Sequence, residues 1–484
     1  MSKGFEGKNC TGHQPDRKAP GTASSFSQWE LHRAAAAALP HRKGAPGNQR
    51  GFHVKAFINE TWLERYGHPI QQDNLLFLWS FTVSIFGIGG LLGSSGSRYL
   101  TVKFGKKKCL LCNNVLMIVA ASIMGCSKIS QSFEMILIGR FMCGVSAGLC
   151  VPLHHQYVGE ISPRKLRGFA NSTSSFFWTL GKAIGQISGQ RYHLLGSQAL
   201  WPLLMASCGL PALVQLLALP FFPESPPYLL MQKGDQEAST MKNTKILSVL
   251  ELVREPAFRW QLYMIVTLTA TIQLCGINAI YFYTFEVLQA AGFDEKMASY
   301  MTLSIGLSEL VAAVGHILLG RKALIRGGYW IMGSLLAAIT VTLSLQDWYF
   351  WMPYCSLALI ILNNSCFSSL PGGATVSTRV EIFKLSCRPP AFVISSVLNW
   401  LGVFVIGTSF PFIVVSERLK HFCFLIFMVV LFTSGMIVHL FLPETKGKSI
   451  VEITEEFNKL NFKNKKIPAT PNHVSEDYTF CTRL

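Results

Sequence analysis

Residues 135–167 read MILIGRFMCGVSAGLCVPLHHQYVGEISPRKLR. The first 23 carry one fixed charge, Arg140; the next ten carry four, Glu160, Arg164, Lys165 and Arg167. A helix needs about 20 predominantly apolar residues to cross a hydrocarbon core, so this stretch reads as a span ending in a charged collar at the membrane surface. The same alternation runs through the chain. Eleven stretches qualify as spans: 75–95, 109–126, 135–157, 169–189, 200–222, 260–283, 299–319, 327–345, 354–376, 390–415 and 421–442. Half of the 484 residues are hydrophobic and 14% are charged, against about 25% charged in soluble domains. That balance excludes a disordered chain and argues against a soluble multidomain enzyme. The expected fold class is an all-α polytopic membrane protein.

The net charge of +17 first suggests nucleic acid. The basic residues lie between spans, however, so the partner they imply is the lipid bilayer and not a nucleic acid. Loops 98–108, 164–167, 223–259, 321–326 and 379–388 hold 19 Lys and Arg, whereas the alternate loops hold five: Lys128, Arg191, Lys296, Arg418 and Lys420. The richer set belongs in the cytoplasm by the positive-inside rule. The span at 169–189 is the weakest, rich in Ser, Gly and Thr and holding Lys182; polar spans face a bundle interior or a water-filled pathway.

Residues 1–58, with nine basic and three acidic residues, read as a disordered basic segment. They precede an N-terminal bundle at 59–222, a cytoplasmic linker at 223–259, a C-terminal bundle at 260–442 and a cytoplasmic tail at 443–484. Asn59-Glu60-Thr61 is a candidate glycosylation sequon. The thirteen cysteines fall mostly inside spans and form no secreted disulfide framework. Cys109 and Cys112 have metal spacing but no second His or Cys pair nearby, so they read as helix-face thiols and no metal site is expected. No phosphate-binding glycine loop is present, and no cofactor is expected.

Internal repetition refines the architecture. Gly105-Lys106-Lys107 recurs as Gly320-Arg321-Lys322, 215 residues on. Glu160-Ile161, with Arg164 and Arg167, recurs as Glu381-Ile382 with Arg388, and Pro223-Glu224-Ser225 recurs as Pro443-Glu444-Thr445, at offsets of 221 and 220. Two parallel halves of about six spans are the repeat pattern of a rocking transporter. The first half contributes five spans and the second six. Lys106, Lys107, Arg164 and Arg167 are expected to face Glu160 and Glu224, and Arg321 and Arg388 to face Glu381 and Glu444. Such charges at helix ends clamp neighbouring helices in one conformer and release them in another; the alternative is simple positive-inside anchoring.

The strings GKKK (105–108), GRF (139–141), GEISPRKLRG (159–168), PESPPYLL (223–230), QLCGINAIYFY (273–283), NW (399–400) and LPETKGKS (442–449) closely resemble the signatures of the sugar porters. These are the facilitative glucose transporter family of the major facilitator superfamily. The resemblance covers about residues 54–460. QLCGINAI, together with 248–261 and 342–354, resembles the second class of that family, nearest its fructose/urate branch. The resemblance implies two six-helix bundles, alternating access and a central hexose site. It puts Gln273, Asn278, Asn399 and Trp400 at substrate-binding positions and Tyr283 at the extracellular gate. Amides supply the donors and acceptors that sugar hydroxyls need, and an aromatic ring stacks on the sugar's apolar face. Glu309 is a functional candidate from the residues alone, because a carboxylate in mid-span is costly; we place it with the substrate-binding set, the alternative being protonation or pairing with His316.

The departures are informative too. Where the family's first helix is expected, before Asn59, this chain has the polar segment, which leaves eleven spans. Ser175, Ile272 and Val376 replace residues common in the family, and Pro227 replaces an Arg. The leading expectation is facilitative uniport of a hexose, fructose or glucose, with no enzymatic step, in a multi-pass protein of the plasma membrane. Two alternatives stay open. One is urate carriage, which Lys182 modestly favours. The other is a paralogue or truncated chain that lacks the first helix and does not transport. Oligomeric state is not legible. The charge asymmetry predicts that an epitope tag in the 284–298 loop labels on intact cells, whereas one after residue 460 labels only after permeabilisation; labelling of both from one side would refute the topology.

Overall fold

The computed structural model describes residues 53–161, 167–189, 195, 197, 199–225, 248–278, 280, 293–312, 321–346, 348–383, 387–415, 423–448 and 450–462. Every regular element among them is helical. The N-terminal half comprises α1 (His53–Tyr66), α2 (Gln72–Phe104), α3 (Lys106–Cys126), α4 (Phe133–Ile161), α5 (Arg167–Ser188) and α6 (Trp201–Phe221). The C-terminal half comprises α7 (Val249–Arg254), α8 (Arg259–Leu274), α9 (Glu295–Ala312), α10 (Arg321–Ser344), α11 (Met352–Phe367), α12 (Gly373–Ile382), α13 (Arg388–Val415), α14 (Cys423–Phe441) and α15 (Ile450–Asn461). A π-helical turn at Ser368–Gly372, carrying Pro371, joins α11 to α12.

Eight helical stretches among the described residues are long and apolar enough to cross a membrane, and they coincide with eight of the eleven expected spans. Of the other three, 169–189 forms α5, whose Ser, Thr and Lys182 lower its apolarity. The remaining two, 260–283 and 299–319, run into residues outside the description. The lipid-facing surface is evident on α6, where Leu203, Leu210, Val214 and Leu217 are each more than half exposed. A bilayer removes that cost, since its acyl chains are as apolar as leucine.

Helix α1 crosses the expected boundary at residue 58. It begins at His53 and buries Val54, Phe57 and Ile58 in the N-terminal core, with the Phe57 ring 5.4 Å from Trp201. The disordered reading is therefore corrected for residues 53–58: their apolar positions share one helix face, and packing decides their structure. The sequon lies within the same helix. Thr61 is buried and its hydroxyl donates to Phe57 O at 2.7 Å. Glycosylation acceptors occupy surface loops, so this geometry lends that expectation no support.

Without a hydrophobic force between helices in lipid, association depends on close backbone approach at small residues. Helices α2 and α4 show this directly. A Cβ at Gly89 or Gly93 of α2 would lie 2.2 Å from Phe141 O or Val145 O of α4, and one at Gly144 or Gly148 of α4 would lie 2.2 Å from Phe86 O or Gly90 O. Four glycines at four-residue spacing thus bring the two backbones together. Arg140 crosses the same interface, fully buried; its Nε donates to Thr82 O at 2.7 Å. The C-terminal core is built around Leu268, Ile325, Tyr329, Leu336, Phe383 and Leu431.

Among the described residues the halves meet mainly along two seams. In one, α2 packs on α13: Trp400 and Phe404 sit against Gly90 and Gly87, and Thr408 Oγ1 donates to Ser84 Oγ at 2.8 Å. In the other, α5 packs on α9. The repeat relates them. The offset that carries α3 onto α10 carries α2 onto α9, and the offset of 221 carries α5 onto α13. The glycine packing predicts that Gly144→Ala and Gly148→Ala each destabilise the purified protein by about 1–3 kcal/mol, the usual cost of overpacking, seen as a lower Tm in detergent. Gly96→Ala, whose added Cβ meets nothing within 4 Å, should leave Tm unchanged or raise it, as expected from helix propensity.

Candidate substrate site and cytoplasmic charge network

Helix α8 ends at Leu274, and Gly276, at φ +80°, breaks the chain before a helical turn resumes at Ile277. An L side chain rarely adopts that φ. The break sets Asn278 beside Gln273 on the last turn of α8: Asn278 Nδ2 donates to Gln273 Oε1, and Gln273 Nε2 donates to Asn399 Oδ1 of α13 at 2.5 Å. Gly402 makes room, since a Cβ there would lie 2.5 Å from Gln273 Cγ. Three amides that the sequence reading nominates as one set therefore form a hydrogen-bonded chain between the end of α8 and α13. Gln273 and Asn278 are 4% and 3% exposed. Each amide has two N–H donors and an acceptor with two lone pairs, so such a chain has the capacity to bind hydroxyls.

Trp400, the next residue on α13, points the other way. It is 1% exposed, edge-on to Phe86 at 5.5 Å and pressed onto Gly90 of α2. In this conformation its ring is packing in the seam between the halves, part of the N-terminal core, and not an open stacking surface. Tyr283 and His316 lie outside the described residues.

Glu309 of α9 forms an ion pair with Lys182 of α5. Their side chains are 2% and 6% exposed, and they belong to opposite halves. A buried carboxylate needs a partner, and the partner here is a lysine 127 residues earlier in the chain. One turn along each helix, Gln186 lies against Gly306, so this seam is polar where α2–α13 is mostly apolar.

The residues expected at the cytoplasmic face differ from expectation in how the acids are used. Glu224 Oε1 accepts the backbone N–H of Lys107 at 3.0 Å, at the start of α3. Glu444 accepts the backbone N–H groups of Arg321 and Lys322 at 2.9 and 3.2 Å, at the start of α10. These are anion contacts to helix N-termini, where four N–H groups have no intrahelical partner and the dipole is positive. Lys107 Nζ donates to Pro220 O and Phe222 O at the end of α6, the matching cation at a C-terminus. Side-chain pairing, expected throughout, is found between Arg321 and Glu381 at 3.6 Å. Glu381 also accepts from Thr445 Oγ1, and Arg388 Nε donates to Phe383 O at 2.9 Å. Lys106 is half-buried at the same helix start. Arg164 and the side chains of Glu160 and Arg167 lie outside the description.

Two features escaped the sequence reading. Capping through backbone N–H groups is invisible in side-chain charge counts, although the recurrence of Pro-Glu-Ser/Thr 220 residues apart signalled that something was repeated. The Lys182–Glu309 pair is the other, because the sequence points to a partner for Glu309 on its own helix, His316, and treats Lys182 separately.

Comparison with known proteins agrees with this architecture. A family model described as sugar (and other) transporter matches residues 52–246 and 235–457. The human solute carrier family 2, facilitated glucose transporter member 9, is 39% identical over 438 residues, covering 84% of this chain and 81% of that protein. Human members 5 and 11 are 37% and 36% identical, each covering 86% of this chain and 88% and 89% of theirs. Among solved structures, the proton:xylose symporter XylE bound to 6-bromo-6-deoxy-D-glucose superposes with a TM-score of 0.69 at 21% identity, covering 90% of this chain and 98% of that one. The inward-open xylose transporter XylE of E. coli gives 0.65 at 20% identity, with the same coverage; at these identities the likeness concerns the fold, that of the major facilitator superfamily. With its helical halves, its repeated carboxylate caps and these matches over most of its length, the chain belongs to the sugar transporter family.

Proposed function

We propose that this membrane transporter carries a hexose, fructose or glucose, down its gradient by alternating access, with Gln273, Asn278 and Asn399 as the amides that take the sugar's hydroxyls. The observation that carries the reading is the Asn278–Gln273–Asn399 chain, buried at Gln273 and Asn278 and half-buried at Asn399. A polyhydroxylated solute replaces amide–amide hydrogen bonds with amide–hydroxyl ones, so binding leaves no buried polar atom unpaired. Trp400 joins the site when the α2–α13 seam loosens and frees its ring from Gly90. Tyr283 is read as an extracellular gate residue. The caps at Glu224 and Glu444, with the Arg321–Glu381 pair, are read as the cytoplasmic clamp whose release accompanies rocking of the halves. The chain is a transporter and not an enzyme, as its relatives are; the plasma membrane is the location that fits hexose entry.

Urate is the second reading. Its support was Lys182, a cation in a polar span. In the structure Glu309 neutralises that charge, which favours a solute without net charge. Glu309 is accordingly read as acting through Lys182 and not as a direct hydroxyl ligand.

Replacing an amide that hydrogen-bonds a buried hydroxyl costs about 1–3 kcal/mol, or roughly five- to over a hundred-fold in affinity. Gln273→Ala and Asn399→Ala should each weaken fructose or glucose binding by that factor. Equilibrium binding to the purified protein and uptake into proteoliposomes measure it. Unchanged affinity in both variants would refute the site. Absence of saturable hexose uptake by the unmodified 484-residue chain would favour the non-transporting reading.

A further inference from the structure

We propose that Glu309 is a specificity determinant that acts by masking Lys182, so that the pathway between the halves admits neutral solutes and turns away anions. The inference rests on the neutral-hexose reading above and assigns the residue that enforces it.

The pair bridges the halves of the molecule at the α5–α9 seam, and in a two-half rocking transporter the solute passes between the halves. Both side chains are almost fully buried. A lysine alone in that position would be the strongest attractor for an anion in a medium of low dielectric. With Glu309 beside it, the pair carries no net charge. An entering anion would have to displace a carboxylate already held at contact distance, and would leave Glu309 buried without its cation. Removing one partner of a buried pair is far more costly than replacing both. A sugar meets no such barrier, because its hydroxyls can bond to either charged group without separating them.

The other seam supplies the contrast. The repeat relates α5–α9 to α2–α13, yet α2–α13 is closed by Trp400 and Phe404 against glycines, with a hydroxyl pair from Ser84 and Thr408. A charged pair is therefore not required to hold a seam of this geometry shut. Gly306, one turn from Glu309, leaves the space into which Gln186 projects, so the surface around the pair is polar on both helices. Scaffold packing alone does not account for a lysine and a glutamate buried here.

The test is equilibrium binding of radiolabelled fructose and radiolabelled urate, a flat monoanion, to the purified full-length chain in detergent. The wild type should bind fructose and show little urate binding. Glu309→Gln, which keeps the side chain's shape and removes its charge, should tighten urate binding roughly tenfold or more, the scale of a charge-assisted hydrogen bond. Lys182→Met combined with Glu309→Gln should abolish that gain, and Glu309→Asp should retain the wild-type preference. If Glu309→Gln does not purify as a monodisperse species, Glu309→Ser leaves room for water beside Lys182 and carries the same comparison. The exchanged pair Lys182→Glu with Glu309→Lys remains neutral and should discriminate as the wild type does. A folded Glu309→Gln or Glu309→Ser that binds urate no better than the wild type would overturn the proposal. So would a gain that persists without Lys182, or one that appears in the exchanged pair. Failure of fructose binding in every form, with the urate gain intact, would instead refute the hexose reading and leave the mask standing.

Discussion

In a hydrocarbon solvent every polar group must find its partner within the protein, because no water is present to take its place. Much of what distinguishes this molecule answers to that constraint. Arg140 lies buried between α2 and α4 and donates into mid-helix carbonyls of α2. The first N–H groups of α3 and α10 are taken by Glu224 and Glu444. Lys182 and Glu309 satisfy each other, and Gln273 is held between two asparagines. Each solution also joins two elements distant in sequence, so polar satisfaction and tertiary specificity are achieved by the same bonds.

The two seams between the halves use different chemistry for equivalent positions. At α2–α13 the contact is an aromatic face on glycine, with Trp400 over Gly90 and Phe404 over Gly87. Such a contact is non-directional and can slide with gradual loss of dispersion energy. At α5–α9 the contact includes a buried ion pair, whose separation in a medium of low dielectric costs Coulomb energy that falls only as the inverse of distance. A rocking motion of the proposed kind would therefore meet unequal resistance on the two sides. The amide chain of Gln273, Asn278 and Asn399 lies on the aromatic side, at the end of α8 and on α13, where Asn399 and Trp400 are neighbours facing opposite bundles.

The repeated carboxylate caps give the halves a common structural element. Glu224 ties the end of the first half to the start of α3, and Glu444 ties the end of the second to the start of α10. In each case a carboxylate after the last span reaches back to a helix N-terminus over 100 residues earlier, closing its bundle on itself. The third acid, Glu381, lies near Arg321 and Thr445 and so links α12 to that closure.

The sequence by itself determined that the chain is a helical membrane protein of two related halves. Span length, the segregation of charge and the offsets near 220 residues are local or periodic properties, and the bilayer turns them into structure with few alternatives. It also nominated the amides, because Gln273, Asn278 and Asn399 stand in motifs. What the sequence left undecided were partnerships. Whether Glu309 pairs with a residue on its own helix or with Lys182 on another depends on which helix faces α9. That is a property of bundle packing, set by glycines such as Gly306 that permit close approach. The helical state of residues 53–58 was likewise settled by burial of Val54, Phe57 and Ile58 against α6 and its neighbours, not by their composition. The recurring Pro-Glu-Ser/Thr motif was visible, but its use as a cap was decided by the tertiary structure, since the orphan N–H groups that attract a carboxylate belong to the backbone of a remote helix and leave no mark on side-chain chemistry.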